Sequence, residues 1–221
     1  MWFKISPKII DGYILNKIKQ ILRINKITGK VVIVNEEPTP NKNAELIATH
    51  QSENLVAILP SALQKSDNLV FDSLYLTIIH KENPASIKKW EDGDKVFKTL
   101  IKQHFNLTME KALFVDGSGL SRYNRIQPRQ LFELLQCGYG VKEFVNALPI
   151  PGQVNSSLEK RRTLPKGIKA KTGVMSGIDG LCGYSTKDLP PKAFVIIANS
   201  FAPTISETNV VLDNFVNYYL G

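Results

Sequence analysis

The amino-acid sequence predicts an α+β fold in which helices pack against one antiparallel sheet. Three observations support this prediction. Before residue 150 most apolar residues recur at helical spacing, whereas residues 168–171, 180–185 and 194–199 form three short apolar runs joined by turn residues. Residues 205–220 then close the chain as an amphipathic helix. Because the connections between the three runs are short, we expect the strands to be antiparallel.

The first fifty residues predict one helix and two short strands. Apolar and basic residues alternate at helical spacing over residues 14–24, and we expect Asp11 to cap that helix. Apolar runs at residues 31–34 and 46–49 predict strands, and the turn-rich sequence EEPTPNKN separates them.

The central part of the chain predicts a series of helices and one strand. Pro60 lies inside the first helical pattern, so we expect that helix to begin at or near it. A strand at residues 113–115 precedes the glycine-rich turn DGSGLS. The helices are expected over residues 54–65, 68–80, 92–104, 128–137 and 141–147.

Composition argues against several classes of function. The net charge is +8, but the lysines are scattered and outnumber the arginines by 22 to 6, which fits a solvated surface better than a nucleic-acid-binding one. No apolar run reaches the roughly 18 residues of a membrane helix, so no membrane span is predicted. The N-terminal sequence MWFKISPKIIDGY is not a signal peptide, so the protein is cytoplasmic or a targeting segment lies upstream.

The cysteines and histidines do not predict a metal site or a cofactor. Cys137 and Cys182 have neither the spacing of a disulfide framework nor that of metal ligands, and we expect both to be buried as small apolar residues. The three histidines share no motif with one another or with a cysteine.

Two tripeptides stand out as candidates for chemistry. The sequence KTG at residues 171–173 lies at the end of a predicted strand, and SDN at residues 66–68 lies between two predicted helices. Each has a purely structural explanation, because a solvated lysine and a glycine can end a strand, and Ser, Asp and Asn are favoured helix caps. Neither tripeptide by itself distinguishes a site from a local structural signal.

Together, in this order, the two tripeptides resemble two of the three motifs of penicillin-binding proteins and β-lactamases, the third being S-x-x-K. The runs ALQKSDNLVFDSL, LFVDGSGLSRYNRIQP and IKAKTGVMSGIDGLCGY are similar to those of the low-molecular-mass class C penicillin-binding proteins. These are periplasmic D-alanyl-D-alanine carboxypeptidases and endopeptidases of peptidoglycan. The resemblance, from Ala44 to Leu220, implies a β-lactamase/transpeptidase-like fold. It also implies peptidoglycan peptide stems and β-lactams as ligands, and no cofactor.

The resemblance assigns the carboxylate end of the substrate to the KTG strand. Lys171 would supply the cation and Thr172 the hydroxyl that bind the terminal carboxylate of D-Ala-D-Ala. Gly173 would let the substrate backbone lie against the strand edge. The backbone N–H of Val174 would be one donor to the oxyanion.

The resemblance assigns proton transfer and amide binding to the SDN segment. Ser66 would relay a proton to the leaving amine, and Asn68 would hydrogen-bond the substrate amide and orient the catalytic lysine. Asp116, Ser118 and Ser121, in the glycine-rich turn, are expected to shape the wall of the cleft.

The segment that carries the nucleophile is not found where the family has it. In the family a nucleophilic serine and its base come from S-x-x-K, upstream of SDN, and no serine before Ser66 has a lysine three residues later. The later matches, Ser86 with Lys89 and Ser157 with Lys160, lie in polar connections and are the kind expected by chance. We therefore predict that this chain lacks its nucleophile and is inactive by itself.

The same reasoning predicts the domain organisation. Residues 1–30 are expected to be the tail of an accessory region that the family inserts between S-x-x-K and SDN, and residues 31–221 the C-terminal part of the catalytic domain. The sheet would then be incomplete at its N-terminal side, with an exposed edge, and the missing half would be a partner. Two other hypotheses stay open: an inactive peptidoglycan-binding or interaction module of the same fold, and a basic nucleic-acid-binding domain.

Overall fold

The computed structural model describes residues 10–31, 49–82, 92–187, 189–200 and 204–221. The chain forms two compact units, Met1–Gln51 and Ser52–Gly221. In the first unit, helix α1 spans Ile10–Ile24, so Asp11 lies within its first turn and is not the N-cap that we predicted. Val31 and Thr49 are not in strands, and the rest of the two predicted strands lies outside the described residues.

The second unit contains six helices and three strands among its described residues. The helices are α2 (Leu55–Lys65), α3 (Asn68–Glu82), α4 (Gly93–Phe105), α5 (Pro128–Gly138), α6 (Lys142–Ala147) and α7 (Ile205–Leu220). The strands are β1 (Ile168–Met175), β2 (Ile178–Ser185) and β3 (Lys192–Asn199). The predicted helices are therefore confirmed to within a few residues, and the α+β architecture is confirmed.

Helix α2 begins five residues earlier than its proline suggested. The side chain of Asn54 accepts a hydrogen bond from the N–H of Ala57 at 2.9 Å, so Asn54 is the N-cap and Pro60 lies inside the helix. Proline has no N–H to donate to the carbonyl of Val56, so the helix loses one internal hydrogen bond there. The burial of Leu63 on the sheet holds the helix together across this position.

The strands form an antiparallel sheet in the order β1-β2-β3. Lys171 is paired with Cys182, which is paired with Val195 on β3. We predicted that the KTG segment ends a strand. The β1–β2 ladder continues to Met175, however, so the KTG segment lies inside β1. The predicted strand at residues 113–115 is only an isolated bridge between Leu113 and Arg125.

Helices cover both faces of this sheet. On one face, α2, α5 and α6 pack against β2 and β3 around the buried residues Leu63, Leu135, Val145 and Tyr184. On the other face, α7 contributes residues such as Leu212 and Val216 to a core with residues from all three strands, namely Ile168, Ala170, Leu181 and Phe194. The sheet is thus the middle layer, and its β1 edge lies next to the end of α2.

Candidate active site

Ser66 and Asp67 form the tight junction between α2 and α3. Ser66 ends α2 with φ 54° and ψ 54°, a left-handed conformation that is uncommon for serine. The Asp67 carboxylate accepts hydrogen bonds from the N–H groups of Leu69 at 3.1 Å and Val70 at 3.3 Å, so Asp67 caps α3. The helix-cap explanation of SDN therefore accounts for Asp67, but it does not use the hydroxyl of Ser66.

The Ser66 hydroxyl is bound instead by the lysine of the KTG segment. The ammonium nitrogen of Lys171 donates to Ser66 Oγ at 2.8 Å and to the backbone carbonyl of Thr172 at 2.8 Å. Burial lowers the pKa of Lys171, against an opposing electrostatic effect of Cys182. The fold thus joins the two tripeptides through a lysine that gives up its proton more readily than a solvated one.

Cys182 on β2 is paired with Lys171 on β1. Both residues line one cleft. Burial raises the pKa of its thiol to about 11, so it is protonated at neutral pH and is a poor nucleophile. Cys137 and Cys182 are both unpaired and half-buried, so they are less buried than we predicted, although Cys182 packs against the core around Leu63 and Tyr184.

Among the described residues no strand pairs with the outer edge of β1 along the KTG segment, where the Thr172 carbonyl accepts the hydrogen bond from Lys171. The N–H of Ala170 donates to the carbonyl of Pro149 at 3.0 Å, so this N–H points away from β2. Backbone groups in an antiparallel strand alternate in direction, so those of Thr172 and Val174 also point outward, whereas those of Lys171 face β2. Past Pro149 this edge can accept an extended peptide as an additional strand.

Gly173 is not required by the packing of the protein itself. A Cβ atom at this position would meet no heavy atom within 4 Å, whereas one at Gly183 would lie 2.1 Å from the carbonyl oxygen of Lys169. Gly183 is therefore needed for strand packing, and Gly173 borders open space.

A cleft of about 550 Å³ is lined by residues of both tripeptides. Its volume is within the range of small-ligand sites. Ser66 and Asn68 line it from the helical side, and Leu120 lines it from the glycine-rich loop. From β1 it is lined by Lys171, Thr172, Gly173, Val174 and Met175. All six residues that we predicted as catalytic or substrate-binding therefore surround one cavity.

The glycine-rich loop that forms one wall is held by carboxylates. Asp72 accepts hydrogen bonds from the backbone N–H groups of Gly117 at 3.1 Å and Ser118 at 2.8 Å. Asp116 accepts from the N–H groups of Gly119 and Ser121, each at 2.6 Å. Ser118 lines the cleft, whereas Asp116 bonds to the loop itself. The expected wall-forming role of this turn thus has a geometric basis.

Our reading of the sequence missed Asp72. It lies four residues after Asn68 on α3, so both side chains are on one face of that helix. This four-residue spacing is the feature of the sequence from which a role of Asp72 near the site could have been predicted. The loop also reaches the other end of the cleft, where the guanidinium of Arg122 lies 3.5 Å from the carbonyl oxygen of Ser176 in the β1–β2 turn.

Of the two later S-x-x-K matches, only Ser157 with Lys160 lies among the described residues, and it does not provide a serine hydrogen-bonded to a base there. The Ser157 hydroxyl is buried without a hydrogen-bond partner among the described residues, although its N–H donates to the carbonyl of Gln64 at 3.0 Å. Lys160 is exposed. Ser86 and Lys89 lie outside the described residues.

The described residues contain neither a cluster of metal ligands nor a helix that could span a membrane. No group of three or more His, Cys, Asp or Glu side chains is placed to hold a metal ion in that part of the chain. No helix within it has the length and apolar character needed to cross a membrane.

Comparison with known proteins relates the chain to cell-wall peptidases. It is 29% identical over 207 residues to the D-alanyl-D-alanine carboxypeptidase DacB of Haemophilus influenzae, and the match covers 87% of this chain and 41% of that protein. It is also 29% identical over 207 residues to the D-alanyl-D-alanine carboxypeptidase of Actinomadura sp. strain R39, covering 88% of this chain and 37% of the relative. The chain thus spans about two fifths of these curated relatives.

The fold is that of penicillin-binding protein 4. The crystal structure of this protein (dacB) from Haemophilus influenzae, complexed with a β-lactam, superposes with a TM-score of 0.78 and 25% identity, over 98% of this chain and 52% of that one. The predatory endopeptidase Bd0816 of Bdellovibrio bacteriovorus, with a TM-score of 0.63 and 15% identity, shares the fold over 99% of this chain and 63% of its own. This confirms the predicted transpeptidase-like fold and the relationship to the class C penicillin-binding proteins. Residues 4–215 match the sequence profile described as D-Ala-D-Ala carboxypeptidase 3 (S13), so the chain belongs to that family.

Proposed function

We propose that this chain is the C-terminal part of a serine-type D-Ala-D-Ala carboxypeptidase or endopeptidase of peptidoglycan. In this proposal it supplies the part of the site that binds the substrate carboxylate and relays protons. The proposal includes a periplasmic location, residues 1–30 as the tail of an accessory region, and no nucleic-acid partner.

One observation supports this proposal more than any other. Lys171 and Ser66 are hydrogen-bonded at 2.8 Å across a cleft, although 105 residues separate them in sequence. A helix cap and a strand would not by themselves require the two side chains to meet. A half-buried lysine held against a hydroxyl at the wall of a cavity is the arrangement expected of a site that handles an anion and a proton.

The terminal carboxylate of the substrate binds at Lys171 and Thr172 in our proposal. The ammonium group of Lys171 attracts the anion, and the hydroxyl of Thr172 donates a hydrogen bond to it. The open edge of β1 receives the peptide backbone, and Gly173 leaves room for it. The exposed N–H of Val174 is then one donor to the oxyanion of the tetrahedral intermediate.

Proton transfer takes place on the other side of the cleft. Ser66 passes a proton to the amine of the departing D-alanine, and the adjacent Lys171 stabilises the serine oxygen during this transfer. Asn68, one helical turn from Asp72, hydrogen-bonds the substrate amide and orients the lysine of the S-x-x-K segment. The nucleophile is the serine of that segment, which lies outside this chain.

The proposal is tested by intact-mass spectrometry after incubation of the purified chain with excess benzylpenicillin. We expect no covalent adduct, because the proposal places the nucleophilic serine and its lysine base in an S-x-x-K segment that the described site does not contain. In parallel, NMR titration with an N-acetylated D-Ala-D-Ala peptide should show binding to the wild-type chain, and substitution K171M should abolish it.

The other outcomes are equally informative. A stoichiometric penicillin adduct would show that the nucleophile is present, and peptide mapping would identify it among Ser66, Ser86 and Ser157. Absence of peptide binding to the wild-type chain would contradict the proposed substrate-binding role. If the chain completed with an S-x-x-K segment bound peptidoglycan but failed to react with penicillin, the inactive binding module would be the better description.

A further inference from the structure

Asp179 is a buried acid that the proposed mechanism does not use. It lies on β2, it is fully buried, and neither of its carboxylate oxygens has a side-chain hydrogen-bond partner among the described residues. A carboxylate in such a place is costly as an anion unless a cation or several donors compensate it. Its charge state is therefore decided by the groups that surround it.

The arginine that acts on Asp179 is bound to other acceptors. Arg161, which is 6% exposed, donates to the Asp213 carboxylate and, at 2.9 Å, to the side-chain oxygen of Asn209, both on α7. The hydroxyl of Thr163 also donates to Asp213, at 3.3 Å. With both aspartates ionised, the single positive charge of Arg161 would leave one buried negative charge uncompensated.

This excess charge is avoided when Asp179 keeps its proton. Burial raises the pKa of Asp179, Arg161 opposes the rise, and Asp213 adds to it. These two are the charged groups that act on it from α7 and from the segment before β1. On the sheet its cross-strand neighbours are Val174 and Ala198, which carry no charge. Asp179 is thus the member of the cluster whose charge responds to pH.

Asp179 also lies beneath the substrate-binding edge of β1. Its partner in the β1–β2 ladder is Val174, whose N–H is the proposed oxyanion donor. Because the backbone groups of Val174 point outward, the two residues form a non-hydrogen-bonded pair, in which opposite side chains approach most closely. Val174 and Gly180, the residue after Asp179, both line the cleft. The carboxyl group is therefore close to the anion-binding region and shielded from solvent.

We propose that Asp179 is a buried proton-binding residue that sets the strength of anion binding in the cleft. Its neutral form leaves the positive potential of Lys171 undiminished, and its ionised form repels the substrate carboxylate and the oxyanion. Strand geometry puts Asp179 roughly 10 Å from the carboxylate site at Thr172, and a unit charge at that distance inside a protein changes anion affinity by about tenfold. This role rests on the proposed function, because the ligand is taken to be a peptide carboxylate.

The first experiment is NMR titration of the purified chain with an N-acetylated D-Ala-D-Ala peptide between about pH 4.5 and about pH 7, where the peptide carboxyl, with a pKa of about 3.5, is already ionised. The affinity of the wild type should fall by about tenfold across this range. D179N cannot ionise, so it should keep the affinity measured at low pH and lose it only at the higher pH where Lys171 titrates. E133Q removes an exposed carboxylate on α5 and should follow the wild type.

A second measurement does not need the peptide. In the free chain, the backbone amide signal of Val174 should move with pH through a single midpoint in the wild type and should not do so in D179N. A purely structural role of Asp179 would not produce this titration, because partial unfolding removes a native signal and does not shift it. D179S replaces D179N in both measurements if the asparagine variant does not fold.

Two results would overturn this role of Asp179. One is a peptide affinity that falls with pH in D179N as it does in the wild type, and the other is a Val174 signal that does not move with pH in the wild type. If the wild type binds no peptide at any pH, the proposed function fails and the Val174 signal alone decides. If the peptide binds but D179N matches the wild type, the proposed function stands and the role of Asp179 fails.

Discussion

The ammonium nitrogen of Lys171 lies 2.8 Å from the hydroxyl oxygen of Ser66, so β1 and the α2–α3 junction meet at one hydrogen bond. Ser66 is held there by a left-handed backbone, and Lys171 by the ladder between β1 and β2. Each residue therefore occupies its position for reasons that lie in its own local structure. Substitutions at Lys171 and Ser66 can therefore separate the contribution of this contact to ligand binding from its contribution to stability.

Replacing Lys171 should abolish binding without unfolding the protein. In K171M a half-buried ammonium is replaced by an apolar side chain of similar length, so we expect the free energy of unfolding to change by less than about 1 kcal/mol. The affinity for an N-acetylated D-Ala-D-Ala peptide should fall by about tenfold or more, because the carboxylate loses its cation. Urea unfolding and NMR titration measure the two effects. K169M, on the same strand, is the control, since Lys169 binds Asn146 outside the cleft.

The affinity for this peptide should also depend on pH. Burial lowers the pKa of Lys171 from its ordinary value of 10.5, so the ammonium is lost at a lower pH than that of a solvated lysine. Binding should weaken as the pH rises through that lowered pKa, and K171M should show no such dependence. The folded state favours the neutral amine, so the stability of the wild type relative to K171M should rise between the lowered pKa and 10.5. A flat titration of affinity in the wild type would contradict the role of Lys171.

The left-handed backbone of Ser66 should make S66G more stable than S66A. A serine with φ 54° carries a backbone cost of roughly 1 kcal/mol that glycine does not have. S66G should therefore be as stable as the wild type or slightly more so, despite losing the hydrogen bond from Lys171. S66A keeps the strain and loses the bond, so it should be the less stable of the two variants. Thermal unfolding of both variants measures this difference, and a more stable S66A would contradict the account.

Asp72 should be required for the loop that forms the cleft wall. One of its oxygens accepts hydrogen bonds from two backbone N–H groups, and D72A would leave both without this acceptor. We expect a loss of about 2 kcal/mol in the free energy of unfolding, with D72N recovering part of it. E133Q, in an exposed helical ion pair with Arg129, is the matched control and should change stability by less than about 0.5 kcal/mol. A loss in D72A no greater than in E133Q would show that the loop does not depend on this carboxylate.

The buried aspartates Asp213 of α7 and Asp179 of β2 should respond differently to substitution. D213A removes the partner of buried Arg161, and we expect a loss of about 3 kcal/mol or more. Asp179 is fully buried, and neither of its carboxylate oxygens has a side-chain hydrogen-bond partner among the described residues. Burial raises the pKa of Asp179, an effect that Arg161 partly opposes. D179N should therefore be neutral or stabilising at neutral pH.

The pH dependence of D179N provides a check of sign. Because the folded-state pKa of Asp179 is raised above its ordinary 3.8, the folded protein retains the proton longer than the unfolded chain does. The stability of the wild type relative to D179N should thus be highest below about pH 4 and fall as the pH rises through the raised pKa. Denaturant titrations across this range measure it, and the opposite slope would mean that the carboxylate is stabilised as an anion.

Patterns in the amino-acid sequence were sufficient to predict the class of fold, to single out both tripeptides and to indicate their family. Helical periodicity and short apolar runs depend on neighbours a few residues away, and such local patterns can be read directly from the chain. The helices were therefore placed to within a few residues. Predictions from local patterns were wrong at two places where contacts with distant residues determine the structure. Pro60 lies inside α2 because Leu63 is buried on the sheet. The KTG segment lies inside β1 because β2 pairs with it along its whole length.

The contacts of the site residues, in contrast, depend on how distant parts of the chain pack together. Nothing in the order of residues shows that Lys171 reaches Ser66, that Asp72 fixes the glycine-rich loop, or that Arg161 turns the polar residues of α7 inward. These contacts join positions tens of residues apart, and they form only after the apolar faces of the helices have been buried on both sides of the sheet. These contacts are therefore consequences of the packing and not of any local sequence signal.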